Sequence, residues 1–377
     1  MREAGDGRVR RKITIVIEGA HSSFLSSDSS FLMRRKGNPM IRSVLIILAT
    51  STAVLVGAAL RADDPKVGRK VERNGDEILI CGQLFHTGAP VVLWTDPGGY
   101  DAYRVERRFV PLKDASWAAT EQAKALKSPN RFGMRTKGLS AEQVERVRGG
   151  GWDLDTLKGV VDQFVVHFDV CGTSKRCFQV LHDQRGLSVH FMLDIDGTIY
   201  QTLDLKEAAW HATIANGRSV GVEIANMGAY PVDGNQGTEV FSKWYKKGPD
   251  GKTRITVPNG LENSGIRDKS QDFRPGRDEP ITGDVQGQSL RQYDLTPPQY
   301  ESLTKLTATL CTIFPKIKCD YPRDNDGKLI LKKLTGDNYN AYQGVLGHYH
   351  VQTNKVDPGP AFQWDRVIEG ARKLLEK

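Results

Sequence analysis

The sequence predicts a mixed α/β (α+β) protein, a central mixed β-sheet flanked by helices and interrupted by a long surface insertion. Three observations predict it. Between Leu157 and Gly228, short apolar runs alternate with one helical segment and one tight turn, the pattern of strand, helix, hairpin and strand. Residues 230–295 are rich in Gly, Pro, Asp and Lys with little periodicity, which marks an insertion on the surface. Order returns over residues 296–315, where Leu303, Leu306 and Leu310 repeat at helical spacing and predict a helix covering the sheet.

Each element has a local reason. Residues 63–150 read as a β-rich N-terminal extension: EILICGQLF and HTGAPVVLW are strand-like, and TDPGGYDAY is a turn. SAEQVERVR reads as a short helix with Ser140 as its N-cap, and Gly149-Gly150-Gly151 marks the break before the main domain, 151–377. LKGVVDQFVVHFDV carries a compact apolar run ending at His167, the signature of a buried central strand. CFQVLHDQRG has helical spacing and stops at Gly186. SVHFMLDIDGTIYQTL is two strands joined at Asp196-Gly197, a strong hairpin signal. EAAWHATIANGRS is a polar loop carrying Trp210 and His211, and SVGVEIANMG is a strand with Glu223 planted inside it. Thr296 is a reasonable N-cap for the covering helix, with Pro297 suited to its first turn.

The net charge of +8 over 377 residues invites a nucleic-acid reading, but its distribution removes it. Residues 1–62 carry +6, which leaves 43 basic against 41 acidic residues in everything that follows. A phosphate-backbone footprint needs basic residues clustered on the folded domain, and no such stripe is present. The leader instead has the form of an export signal. Arg34, Arg35, Lys36 and Arg42 precede an apolar run, 43–60, that ends in small residues. The alternative is an uncleaved membrane anchor, because the run approaches spanning length. Met33 and Met40 are alternative starts that would bring the signal closer to the N-terminus. The expected location is therefore the periplasm, the cell envelope or outside the cell.

Export gives the five cysteines meaning. Cys171 with Cys177, and Cys311 with Cys319, close short loops; two local disulfides with Cys81 left over is the simplest assignment in an oxidising compartment. Five free thiols is the alternative, since spacing does not fix geometry.

Chemistry concentrates near the C-terminus, in GHYHVQTNKVDPGPAFQW, 347–364. His348 or His350 together with Asp357 offers metal ligands, and Asp357-Pro358-Gly359-Pro360 stiffens the exit. A catalytic zinc usually takes three protein ligands and leaves one position open, so this stretch needs a partner from elsewhere. Taken singly, His167 at a strand end, Glu223 in a strand and Lys355 in a loop each have a structural reading.

Taken together they resemble a family. FVVHFDV, LSVHFMLDIDGTIYQ, AAWHA, SVGVEIAN and GHYHVQTNKVDPGPAFQW occur in the order seen in zinc-dependent N-acetylmuramoyl-L-alanine amidases of the amidase-2 type, relatives of the peptidoglycan-recognition proteins. The resemblance covers roughly residues 160–228 and 296–370. It implies Zn2+ held by His167, His348 and Asp357, Glu223 as general base, and Lys355 as electrostatic helper. It implies hydrolysis of the amide between N-acetylmuramic acid and L-alanine by a zinc-activated water. His190, Trp210 and His211 resemble pocket residues that contact substrate. The pair Cys171/Cys177 resembles the small disulfide loop of the recognition proteins. Val189 stands where those relatives often carry a tyrosine, so the chain is expected to depend on Glu223. Two departures are visible: His350 occupies a position where many relatives have an acid, and the spacing from His348 to Asp357 is one residue shorter than in many. His350 is thus the competing ligand, with His348 favoured because it follows Gly347.

The expected partner is peptidoglycan or a muropeptide, bound by a monomer, with no nucleic acid and with the membrane involved only through an uncleaved leader. The rival function is a non-catalytic peptidoglycan-recognition module. A complete ligand set with a base beside it argues for the enzyme.

Overall fold

The structure, a computed structural model, describes residues 67–377. The leader with its apolar run, and the choice between signal and anchor, lie outside the described residues. Residues 67–71 have no helix or strand, and Glu72–Lys377 form one compact unit. Among the described residues, no helix is long and apolar enough to cross a membrane.

In chain order, β1 (Glu77–Ile80) and β2 (Gln83–His86) form an antiparallel hairpin, followed by β3 (Val91–Leu93) and, further on, β4 (Phe132–Met134). Helix α1 (Ala141–Arg148) starts at the predicted Ser140 cap, whose side chain accepts from the Gln143 N–H. After α2 (Leu154–Val160) comes β5 (Gln163–Phe168), then α3 (Ser174–Phe178), extended by a π-helical turn, Gln179–Arg185. β6 (Phe191–Leu193) and β7 (Ile199–Gln201) make the predicted hairpin. β8 (Glu207–Ala209) pairs with β4, and β9 (Ser219–Ile224) follows. The segment read as a polar loop, from Glu207, therefore begins as a strand; three residues are too few for any periodicity to declare it.

The insertion is better ordered than its composition suggested. It contains β10 (Ala229–Pro231), α4 (Asn235–Trp244), β11 (Tyr245–Lys247), β12 (Thr253–Ile255), β13 (Ile281–Val285) and β14 (Gln288–Gln292). Its order comes from small apolar clusters, one of them aromatic: Tyr230, Phe241 and Tyr245, with Tyr293 stacked 3.9 Å from Tyr245. Strands this short leave too few residues to set a visible period. The covering helix α5 (Pro297–Ile313) has the predicted Thr296 capping box; α6 (Gly336–Ala341), β15 (Gly344–Gly347) and α7 (Trp364–Leu375) complete the chain.

The central sheet has the order β15-β5-β9-β6-β7-β3. Every neighbouring pair is parallel except β6 with β7, so the sheet is mixed, as predicted. Residues 91–93 of the N-terminal extension supply its far edge strand, through parallel pairing with β7. Strand alternation then decides what each face carries. Phe164 and Val166 of β5, with Val220, Val222 and Ile224 of β9, pack into the main core with Leu303, Leu306 and Leu310 of α5 and Val367 and Ile368 of α7. The alternate residues, His167 and Glu223, therefore project from the opposite face. They are direct register partners across β5 and β9, and His348 follows immediately after β15. The site sits at the carboxyl ends of three parallel strands, where open α/β sheets bind their ligands.

Candidate active site

Three donor atoms meet at this point. His167 Nδ1 lies 2.9 Å from His348 Nδ1 and 3.0 Å from Asp357 Oδ2, and His348 Nδ1 lies 3.0 Å from the same oxygen. All three residues are buried. His350 is not among them. Its Nδ1 accepts the Gly347 N–H at 2.9 Å and its Nε2–H donates to the Ile330 carbonyl at 2.6 Å, so both nitrogens are used as a clip between loops. Burial lowers its pKa to about 3, which keeps the ring neutral and the clip intact.

The outer nitrogens of the two converging histidines explain why the inner ones face each other. His348 Nε2–H donates to Gln352 Oε1 at 2.6 Å, which leaves the lone pair on Nδ1. His167 Nε2–H donates to His211 Nδ1 at 3.0 Å, and His211 Nε2–H donates to Ser219 Oγ at 3.2 Å. Burial, with the neighbouring His167 charge next, holds the His211 pKa well below its usual value, so the ring stays a neutral acceptor. Two imidazole lone pairs and a carboxylate oxygen are thus aimed at one another with no proton assigned between them. Burial and the charge of His348 hold the His167 pKa down at about 4. Burial opposes ionisation of Asp357, but the charges and hydrogen bonds of His348 and His167 outweigh it and keep the carboxyl well below the usual range. Three proton-free donors of this kind fit a metal ion, and two nitrogens with one carboxylate are a donor set of catalytic zinc sites.

Loop sterics hold the arrangement. The Asp357–Pro358 peptide is cis, and Gly359, at φ 86°, lies where a Cβ would sit 2.1 Å from Gln292 Oε1. That side chain accepts from Ala361 N–H and donates to the Pro358 carbonyl. Gly221 on β9 makes room for His211, because a Cβ there would stand 2.5 Å from the ring. Removing His211, or crowding it with Gly221→Ala, should loosen His167 and weaken metal affinity by about 10–100-fold. Competition with a chromogenic chelator measures this; affinity unchanged in both variants contradicts the positioning role.

The cluster opens on a cavity of about 330 Å³ whose wall also carries Glu223, Lys355, Trp210 and His211. Burial raises the Glu223 pKa well above that of a free carboxyl, the charges of Asp357 and Asp169 add to it, and Lys355 opposes it. His190 does not reach the wall. It is fully buried, accepts Gly221 N–H at 3.1 Å and donates Nε2–H to the Glu207 carbonyl at 3.0 Å, and its pKa is pushed to about 3 by burial and then Arg135. Val189 is likewise buried in an apolar cluster.

Sequence reasoning missed three residues here. Gln352, four positions after His348, could have been noticed as an amide one turn from a ligand. Ser219 offered no signal. Asp169, two residues after His167, accepts the N–H groups of Cys171, Gly172 and Asn226 with Oδ1 and so fixes the loop on the cavity rim. All five cysteines are unbridged, but Cys171 lies in hydrogen-bonding reach of Cys177, and Cys311 in that of Cys319.

Solved structures with similarity include a selenomethionine derivative of AmpD, at 15% identity over 64% of this chain and 89% of that one, with a TM-score of 0.29. The amidase LysCS from Clostridium intestinale gives 17% identity, 58% and 86% coverage, and 0.29. AmiD from E. coli, complexed with the substrate anhydro-N-acetylmuramic acid-L-Ala-D-gamma-Glu-L-Lys, gives 15%, 56% and 57%, and 0.31. No curated protein matches. The sequence model of the amidase-2 family, N-acetylmuramoyl-L-alanine amidase, matches residues 157–360, which include His167, Glu223, His348 and Asp357. That match spans over half of the 377 residues, and the chain belongs to the N-acetylmuramoyl-L-alanine amidase family.

Proposed function

We propose that this protein hydrolyses the amide bond between the lactyl group of N-acetylmuramic acid and L-alanine in peptidoglycan, with zinc held by His167, His348 and Asp357. The observation that carries the reading is the convergence of three proton-free donors, 2.9–3.0 Å apart, on the wall of a cavity that also presents Glu223 and Lys355. Zinc bound there supplies the Lewis acidity that polarises the scissile carbonyl and acidifies water. Glu223 takes a proton from the attacking water and returns it to the leaving amine, a role suited to a carboxyl whose pKa burial raises well above the ordinary carboxylate value. Lys355, on the same cavity wall, supplies positive charge to steady the oxygen on which negative charge develops. Trp210 and His211 line the cavity where the sugar and the first peptide residue lie. The test is mass spectrometry of a soluble muropeptide after incubation: separate sugar and peptide products support the reading, and cleavage at a peptide bond overturns it.

A recognition module without catalysis would retain the cavity but have no use for the ligand set and base together, which favours the enzyme. The leader supports export to the compartment that holds peptidoglycan. In that oxidising setting the pairs Cys171–Cys177 and Cys311–Cys319 form disulfides and leave Cys81 as the free thiol. Thiol titration of the denatured native protein checks this; labelling of Cys171 or Cys311 contradicts it.

A further inference from the structure

The catalytic cavity has a neighbour. Cys171, on the loop after β5, lines it and also lines a second cleft of about 460 Å³. One wall of this cleft is α3 and the π-helical turn that extends it, with Lys175, Arg176 and Gln179; the other is Trp244 at the end of α4 and the loop 257–264. The walls are tied together. Lys175 Nζ donates to the Asn263 carbonyl at 2.8 Å, and the Trp244 ring packs so closely on Gly172 that a Cβ there would lie 2.5 Å away. Arg176 is exposed, with Nη1 donating to Gln179 Oε1 at 2.7 Å.

The charge of the cleft is uncompensated. No Asp or Glu lines it, and among the described residues neither Lys175 nor Arg176 forms an ion pair. Arg185, exposed, is a further cation on the lining of the catalytic cavity. Two cations in a concave wall, next to an indole that lowers the local dielectric, attract anions more strongly than the same groups on open surface. Of the two sides of the proposed substrate, the sugar is neutral beyond its linkage. The peptide side carries charge, because a γ-linked glutamate keeps its α-carboxylate free.

We propose that this cleft is the subsite for the free carboxylates of the stem peptide, paired with Lys175 and Arg176 and flanked by Trp244. The proposal rests on the amidase reading and names which side of the substrate each cavity takes. Because the insertion builds one wall, it gives that segment a function in substrate choice.

The test is calorimetric titration of the full-length, zinc-loaded chain with the tripeptide L-Ala-γ-D-Glu-L-Lys and with the same peptide amidated at both carboxylates. Wild-type protein should bind the acidic form about tenfold more tightly, the size of a charge-assisted contact. The variant Lys175→Ala/Arg176→Ala should bind both forms equally weakly. Arg176→Ala alone, which leaves the Lys175–Asn263 tie intact, should lose part of the preference while unfolding at the wild-type temperature. Equal binding of the two peptides by wild-type protein, or a preference that survives in the double variant, overturns the subsite. A protein that shows the preference yet cleaves no muropeptide overturns the amidase reading alone.

Discussion

Glu223→Gln is expected to bind zinc as the wild type does and to lose activity by about 10²–10⁴-fold, the contribution of a positioned general base. The substitution keeps the shape of a side chain near the carboxyl end of β9, so the sheet register that sets Glu223 beside His167 is retained. It also removes a half-buried acid whose ionisation its surroundings disfavour, so thermal stability should not fall. The wild-type pH profile carries the same signature. Only the ionised carboxyl accepts a proton, so activity falls with pH as Glu223 protonates. Because burial raises its pKa, that fall should begin well above the ordinary carboxylate range. A Glu223→Gln enzyme with more than about a tenth of wild-type kcat/KM contradicts the assignment of the base.

His348→Ala should lose both metal and activity, whereas His350→Ala should keep the metal. Without His348, the site retains His167 and Asp357, one ligand short of the three that hold a catalytic zinc. Affinity should fall by more than the roughly 100-fold of an outer-shell change. His350→Ala leaves Gly347 N–H and the Ile330 carbonyl without their partner and should cost about 1–3 kcal/mol of stability with the site intact. Bound zinc and unfolding temperature, measured on the same samples, separate the two outcomes. Loss of metal from a folded His350→Ala protein contradicts the choice of ligands.

What was legible in the sequence followed local rules. The apolar run ending at His167, the Asp196-Gly197 hairpin, Glu223 within an apolar strand and the Thr296 cap each declare themselves within a few neighbouring residues. Residues 91–93 read as a strand, but their place at the edge of the central sheet does not show, because the parallel partner β7 lies about a hundred residues further on with several strands and helices between. His211 read as a residue on a polar loop. Its partners, His167 and Ser219, become visible only when β5 and β9 lie side by side, and the clue that Gly221 is glycine to admit its ring is steric. His350 stood as the competing ligand, with His348 favoured only because it follows Gly347, since both are histidines in one short loop. The tight turn at 348–350 sends one ring towards Asp357 and the other towards Ile330, a distinction of rotation that spacing does not carry. The insertion was the largest loss, since its aromatic contacts join residues tens of positions apart.

The central claim is that the His167, His348 and Asp357 cluster holds zinc for amide hydrolysis. It is tested most directly by measuring bound zinc and the appearance of L-alanine amino termini from purified peptidoglycan on the same protein sample, before chelation, after it and after zinc is returned. Zinc is expected at one site per chain, with activity lost and restored in step with it. Protein that holds its full zinc and binds peptidoglycan without releasing peptide would contradict it.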